Sequence, residues 1–319
     1  MARTKKTPLS DPSIVDESSA PKEGGRRLWP RLKWLLRATL ALGVLAALPA
    51  IWFQLPDLRS RPEYRLKQSS LQFVPPPTGE VPEDLPQRVW EELSGGDALS
   101  VLDPATTARL AEILNRSPWI AKVQRIEAGY PSRIVARVQY RQPVAMVEVE
   151  QGLYPVDGEG MILPPPDFSL ADAERFPKIL GVTTRPRGAA GRLWPDLRVQ
   201  AGARLAAVLA PYWRTLQLQA IRVLDPPTGI AATPDDFQLE LLSPGGSRIA
   251  WGRPPGTQYP GELEPVQKLG RLQKYLSEFG TFDGPHSPYE IDIRHWQEIT
   301  RRPVNSVNRN AQRGQRPRW

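Results

Sequence analysis

Apolar and polar residues follow one another along this chain in patterns that predict one uninterrupted apolar segment and two folded regions. From Ala38 to Pro56 the sequence holds no charged residue, and with two preceding leucines the segment approaches the about 20 apolar residues that span a bilayer. Such spans are commonly flanked by aromatic and basic side chains. Here the flanking residues are Trp29, Trp34, Arg37 and Trp52. The pattern predicts a transmembrane helix within residues 30–56.

The charges around this segment predict an orientation. Basic residues are denser before it than after it, so the N-terminus is expected in the cytoplasm and the C-terminal domains outside. The predicted location is the cell (inner) membrane, as a single-pass protein of type II. Residues 1–29 are polar and predict a disordered cytoplasmic tail, and residues 57–66 predict a connector. A cleaved signal peptide or a buried core helix fits less well, because the segment begins late and has no polar face.

Residues 67–142 predict a β-α-α-β-β unit. A strand that ends at Val74 is followed by three prolines, which cannot continue a ladder. Asp103-Pro104 predicts a helix start, because the carboxylate caps free N–H groups and proline suits the first turn. Two further strands are predicted at 119–128 and 134–140. Apolar residues alternate with arginines on the second of these, which indicates one buried face and one wet face.

Residues 143–302 predict a mixed β-sheet domain with covering helices, and residues 303–319 a disordered basic tail. Helices are predicted at 201–213 and 262–279 from the spacing of their apolar residues. The predicted strands lie at residues 145–149, 152–156, 218–224, 237–242, 247–251 and 289–295. Together the elements predict the α+β class: an N-terminal transmembrane helix, a membrane-proximal unit and a larger mixed sheet.

Composition excludes several kinds of site. The sequence has no cysteine and only two histidines, His286 and His295, so disulfides, thiolate centres and histidine-rich metal sites are excluded. Asp157 and Glu159 lie in an Asp-Gly-Glu-Gly turn, where an exposed setting offers no means of separating two carboxyl pKa values for catalysis. We therefore expect no enzyme activity, no cofactor or metal, no small-molecule substrate and no nucleic-acid partner.

Seven short strings resemble, in order and spacing, the bacterial cell-division family FtsQ/DivIB. They are Ser117–Val123, Tyr130–Ile134, Arg141–Ala145, Tyr154–Gly160, Phe176–Gly181, Ile249–Gly252 and Ile291–Arg294. The resemblance runs from about residue 30 to 300. It implies a POTRA domain at 67–142 and an FtsQ-type β domain at 143–302. It also implies a non-catalytic divisome scaffold at the septum, which binds FtsB and FtsL and so recruits and regulates septal cell-wall synthesis proteins.

The resemblance also implies a binding strand, since the family's contact with FtsB lies on the last strand of its β domain. An edge strand offers unpaired N–H and C=O groups, to which an extended partner segment can add. The predicted partner-binding residues are Tyr289, Ile291, Asp292, Ile293, Arg294, His295 and Trp296. The alternative is a POTRA-containing envelope protein of a secretion or outer-membrane assembly system.

Alternation divides these residues between two faces of the strand. Tyr289, Ile291, Ile293 and His295 are expected to pack on the core, and the face with Asp292, Arg294 and Trp296 to stay available. Two interpretations of Arg294 remain open. It either pairs with Asp292 in a surface salt bridge or, as the resemblance implies, meets a carboxylate of the partner.

Overall fold

The computed structural model describes residues 28–54, 61–186, 188–226, 229–286 and 288–304. In the first of these stretches, side chains are described only for residues 33–46. The chain divides into a first unit that ends at Asp57 and a second that begins at Leu58. The two predicted tails, residues 1–29 and 303–319, lie outside the described residues except where they overlap the first helix and the last strand.

The described part of the first unit is one helix, α1 (Leu28–Gln54), of 27 residues. Its composition favours a helix, because leucine and alanine predominate. The side chains of residues 33–46 are exposed. The hydroxyl of Thr39 donates to the carbonyl oxygens of Leu35 and Leu36, each at 3.0 Å, so the polar group of the apolar segment is satisfied by the helix itself.

The predicted transmembrane helix is wrong: within the described stretches of the chain, no helix is both long and apolar enough to cross a membrane. The sequence of α1 places three cations in its first turns, and the apolar part that remains, Ala38–Phe53, is shorter than the about 20 residues of a typical span. The predicted inner-membrane location and its orientation depended on this span, so the finding contradicts them as well.

The four residues predicted at the membrane interface lose that role with the span. Trp34 is 71% exposed on α1, and Arg37 is also exposed. The side chains of Trp29 and Trp52 lie outside the described residues. The rest of the predicted fold class, α+β with mixed sheets, is confirmed.

The second unit begins with a three-stranded sheet that carries two helices. Its elements are β1 (Leu71–Val74), α2 (Leu85–Ser94), α3 (Pro104–Arg116), β2 (Ile120–Gly129) and β3 (Arg133–Tyr140). β3 is central, parallel to β1 and antiparallel to β2. Asp103 caps α3 as predicted, since its carboxylate accepts from the N–H of Ala105 at 3.1 Å. The predicted β-α-α-β-β order is confirmed.

One face of this sheet packs beneath the two helices. Ile134, Ala136 and Val138 of β3 are buried there, in one core with residues of α2 and α3. Because successive side chains on a strand point to opposite faces, Arg133, Val135, Arg137 and Gln139 lie on the other face, which no described helix covers.

An eight-stranded mixed sheet forms most of the second unit. Its strands are β4 (Pro143–Val149), β5 (Gly152–Asp157), β6 (Lys178–Leu180), β7 (Ala220–Leu224), β8 (Gln238–Leu242), β9 (Arg248–Gly252), β10 (Tyr289–Asp292) and β11 (Thr300–Pro303). They lie in the order β11-β10-β9-β8-β7-β6-β4-β5. Three helices accompany them: α4 (Leu170–Glu174), α5 (Leu197–Leu209) and α6 (Pro265–Phe279). β11 was not predicted, and it occupies one end of the sheet.

The two sheets are joined by packed contacts. The indole N–H of Trp119, from the first sheet, donates to a carboxylate oxygen of Asp167 at 2.7 Å. Its ring stacks on Phe168, with centroids 5.8 Å apart. Arg88 reaches the other oxygen of Asp167 at 2.8 Å. These contacts join α2 and the start of β2 to the segment that follows β5, so side-chain contacts as well as the chain connection link the two parts of the second unit.

Candidate functional site

The strand predicted as the binding edge lies inside the sheet. β10 ends at Asp292, and both of its sides are paired: Ile291 lies opposite Ile249 of β9 and opposite Arg301 of β11. A strand with neighbours on both sides has no free row of N–H and C=O groups to offer. The edge on this side of the sheet is therefore β11.

The predicted division into faces holds along β10 and fails just beyond it. Tyr289, Ile291 and Ile293 are buried, at 5%, 1% and 0% exposure, so the face expected on the core is confirmed for these three. His295 was expected on the same face, but its side chain is 67% exposed. The strand has ended before this residue, so the alternation no longer applies. Trp296 is 75% exposed, as expected for an available side chain.

Arg294 is already paired within the chain. Its guanidinium donates to both oxygens of Asp292, at 2.9 Å from Nε and 2.6 Å from Nη2, and its backbone N–H donates to the same carboxylate at 2.9 Å. Burial opposes the charge of Asp292, but the hydrogen bonds from Arg294 outweigh it and lower the pKa of Asp292. The same hydrogen bonds raise the pKa of Arg294. The salt-bridge interpretation is the one formed here, and contact with a partner's carboxylate stays a prediction.

Arg301 fixes β11 on the sheet. Its guanidinium lies 3.8 Å from the ring centre of Tyr289 and 5.0 Å from that of Phe279, at the end of α6. Such contacts are cation–π interactions. The Nε atom of Arg301 is buried with no hydrogen-bond partner among the described residues, so the two aromatic rings are the partners of this group. Arg301 therefore ties the outermost strand to both the sheet and the helix.

The outer side of β11 is open. Among the described residues, no strand pairs with it on the side away from β10. Arg302 and Pro303 are exposed, and the N–H of Val304 donates to the carbonyl of Pro288 at 2.8 Å, which extends the pairing with β10 past the strand. Shortness, charge and proline are the features by which natural edge strands avoid unspecific pairing. This edge is thus open but protected against self-association.

The loop between β10 and β11 is held beside α6. Arg271 of α6 donates to the carbonyl of Glu298 at 3.1 Å, and Trp296 stands exposed in this loop. We call Trp296, Thr300, Arg302 and the outer backbone of β11 the edge surface. It combines unpaired main-chain groups, one cation and one large aromatic side chain, which is the composition of a small protein-binding surface.

Lys268 of α6 is a buried cation with partners inside the chain. Lys268 is 1% exposed; it pairs with Glu262 and lies 5.0 Å from the ring centre of Trp251. Burial lowers the pKa of Lys268, against the opposing effect of its hydrogen bond with Glu262. In the parts of the chain that are described, no cluster of three or more His, Asp or Glu residues could hold a metal ion.

Asp157 has a different setting from the one predicted. The turn was expected to be exposed, yet Asp157 is 5% exposed. It accepts from the backbone N–H groups of Glu159 and Met161, each at 2.9 Å, and from Arg141 at 2.7 Å. Asp157 thus forms the turn and also binds the segment that connects the two sheets, while Glu159 stays exposed.

Sequence reasoning missed the terminal strand β11, including Thr300 to Arg302. The available signal was weak: Ile299 and Arg301 alternate with two polar residues before a proline. No protein-family model matches the chain, and no curated protein matches it. The FtsQ/DivIB resemblance, and with it the POTRA assignment, stays a prediction carried by the short strings alone.

Proposed function

We propose that this protein is a non-catalytic scaffold of bacterial cell division that binds a partner protein by β-strand addition at β11. The observation that carries the proposal is the position of β11 as the terminal strand of the eight-stranded sheet, with its outer side unpaired among the described residues. The resemblance to FtsQ/DivIB supports FtsB-like and FtsL-like proteins as the partner class. Recruitment and regulation of septal cell-wall synthesis would follow from that contact.

The pairing register of β10 and β11 indicates which side chains would contact an added partner strand. Directly opposite residues share a face, so Thr300 lies beside Asp292 and Arg302 beside Glu290 on the face away from the core. An added strand places its alternate side chains next to Thr300 and Arg302. An acidic residue of the partner beside Arg302 gains a charge-assisted hydrogen bond. Trp296 offers an apolar anchor beyond the end of the strand.

Strand addition to so short an edge gives modest affinity. Each main-chain hydrogen bond contributes about 0.5–1.5 kcal/mol net, and β11 has four residues. The anchor at Trp296 and the charge at Arg302 must therefore supply much of the selectivity. This agrees with a scaffold that exchanges partners, rather than with a permanent subunit interface.

The binding step is tested by site-specific photo-crosslinking in the full chain. A photoreactive amino acid at Arg302 should crosslink to a small coiled-coil division protein, whereas the same group at Lys274, an exposed residue of α6, should not. Equal crosslinking at both positions, or at Lys274 alone, would contradict binding at β11.

The cellular role is tested by depletion. Cells that lose the protein should form filaments without completed septa, and a fluorescent fusion should gather at division sites. Normal division after depletion, together with a fusion signal that never gathers at division sites, would overturn the divisome proposal while leaving the crosslinking result to stand on its own.

A further inference from the structure

The three-stranded sheet has a face that carries an excess of cations. Lys122 lies opposite Gln139, and Arg125 lies opposite Arg137, so these residues share the face that the helices leave uncovered. Arg133 lies on the same face, because it is four positions from Arg137 and every second residue of a strand shares a face. We call Lys122, Arg125, Arg133 and Arg137 the basic face. All four side chains are exposed.

The charge of the basic face is not balanced. One carboxylate of the strands shares it, that of Glu127, which lies 2.9 Å from Arg125 and 3.7 Å from Arg137. Lys122 and Arg133 make no ion pair and no side-chain hydrogen bond with any described residue. Two of the four cations are therefore free to meet an anion from outside.

This arrangement opposes the stability of the sheet. Like charges directly opposite each other on neighbouring strands are destabilising, and Arg125 and Arg137 form such a pair with one shared carboxylate. A sequence selected for stability alone would alternate the signs. Departures from such local rules are expected at functional surfaces, and a cluster of cations raises the local concentration of an anionic partner.

The basic face continues into a cleft. Lys122 and Gln139 also line a cleft of about 840 Å³ between the two sheets, with Arg214 among its other lining residues. Arg141 lines the same cleft, and its Nε is buried without a hydrogen-bond partner in the described structure. The lining is mixed, because Glu80, Asp157 and Glu159 also border the cleft and Nη1 of Arg141 donates to Asp157 at 2.7 Å. Lys122, Arg214 and the unpartnered Nε of Arg141 are the donors that the cleft offers to the end of an extended chain.

We propose that the basic face and this cleft bind an extended acidic segment of a partner protein. Side chains on one face of an extended segment repeat about every 7 Å, a spacing that lets alternate carboxylates meet successive cations along the sheet. The uncovered face of the strands carries no aromatic side chain, and single-stranded nucleic acid is usually held by base stacking on such rings; the rings of Tyr140, Phe176 and Trp213 lie at the cleft alone. The proposal is independent of strand addition at β11, because no residue of β10 or β11 belongs to the basic face or lines the cleft.

The probe for this test is a fluorescein-labelled decapeptide of alternating glutamate and valine. Its Kd for the full chain is measured by fluorescence anisotropy at low ionic strength, where exposed charges are least screened. Lys122→Glu and Arg133→Glu should each weaken binding about fivefold or more, since each replaces an attraction by a repulsion. Lys122→Arg should retain binding, because it keeps the charge.

Lys274→Glu is the matched control, since it makes the same charge change at an exposed residue of α6 and should leave the Kd unchanged. An unchanged Kd in both Lys122→Glu and Arg133→Glu would overturn the proposal, and so would an equal loss in Lys274→Glu. Tighter binding of oligothymidylate or of anionic lipid vesicles than of the peptide would overturn the choice of an acidic protein. Circular dichroism of each variant checks that its fold is retained.

Discussion

Arg301→Ala tests how β11 is held at the end of the sheet. The substitution removes the guanidinium from the rings of Tyr289 and Phe279, 3.8 Å and 5.0 Å from their centres. Each cation–π contact contributes about 0.5–1 kcal/mol, so the two together stabilise the attachment of β11 by about 1–2 kcal/mol. Because β11 is the terminal strand of the sheet and can open locally, global stability should fall by less than this.

Hydrogen exchange followed by mass spectrometry measures the effect. A loss of about 1–2 kcal/mol in local opening corresponds to about 5–30-fold faster exchange for the amides of β11 and Val304, with β7 and β8 unchanged. Arg302→Ala is the control, because the neighbouring side chain is exposed and makes no ring contact. Unchanged exchange at β11 in Arg301→Ala, or equal acceleration in Arg302→Ala, would refute this explanation of the attachment.

Three further predictions concern stability. Gly202→Ala in α5 should lower the free energy of unfolding by about 1–3 kcal/mol, because the new Cβ would lie 2.9 Å from Cγ2 of Ile179. In Gly270→Ala of α6 the new Cβ meets nothing within 4 Å, so this substitution should raise the free energy of unfolding by about 1 kcal/mol. Urea titration measures both changes. Burial opposes the charge of Asp283, but two serine hydroxyls at 2.6 and 2.7 Å outweigh it and lower its pKa. The Asp283 carboxylate therefore contributes to the free energy of unfolding above its unfolded pKa of about 4, and this contribution is lost as pH falls through the lower folded pKa. Asp283→Asn should be less stable than the parent protein at neutral pH, and it should lose less stability on acidification. Trp119→Phe should cost about 1–3 kcal/mol, because it leaves a buried carboxylate without its indole donor at 2.7 Å; an unchanged thermal midpoint would contradict this.

Local sequence signals predicted most elements of the second unit, because capping and alternation act within a few residues. Asp103-Pro104 started a helix as predicted, and alternation along Ile134–Tyr140 predicted its buried face. The start of α5 was placed at residue 201, four residues late: Asp196 caps it, accepting from the N–H of Arg198 at 3.0 Å. An aspartate before an apolar run could have located this start.

The candidate site was predicted less well, because an edge is a property of the whole sheet. The sequence indicated a strand at Tyr289 and its buried face, but neither the spacing nor the burial of β10 reveals whether another strand pairs beyond it. β11 is short, and Arg301 is stabilised there by two rings that are distant in sequence from it. Such a contact has no local signature, so the order of the last two strands required the structure.

For β11 the sequence predicted too little, whereas for the apolar segment of α1 it predicted too much. The absence of charged residues from Ala38 onward predicts a transmembrane helix. The cations earlier in the same helix and its polar C-terminal residue leave an apolar segment that is too short for one. The helix was predicted from its composition and is present. Its proposed relation to a bilayer was a further step, and it is contradicted among the residues that the structure describes.

The central claim is that the outer side of β11 binds a division partner. Hydrogen exchange of the full chain, with and without a purified FtsB-like protein, tests it most directly. We predict slower exchange at β11 and in the loop that carries Trp296, with no change at β5, the opposite edge of the same sheet. Protection confined to β5, or no protection at β11 under conditions where the partner is bound, would contradict the claim.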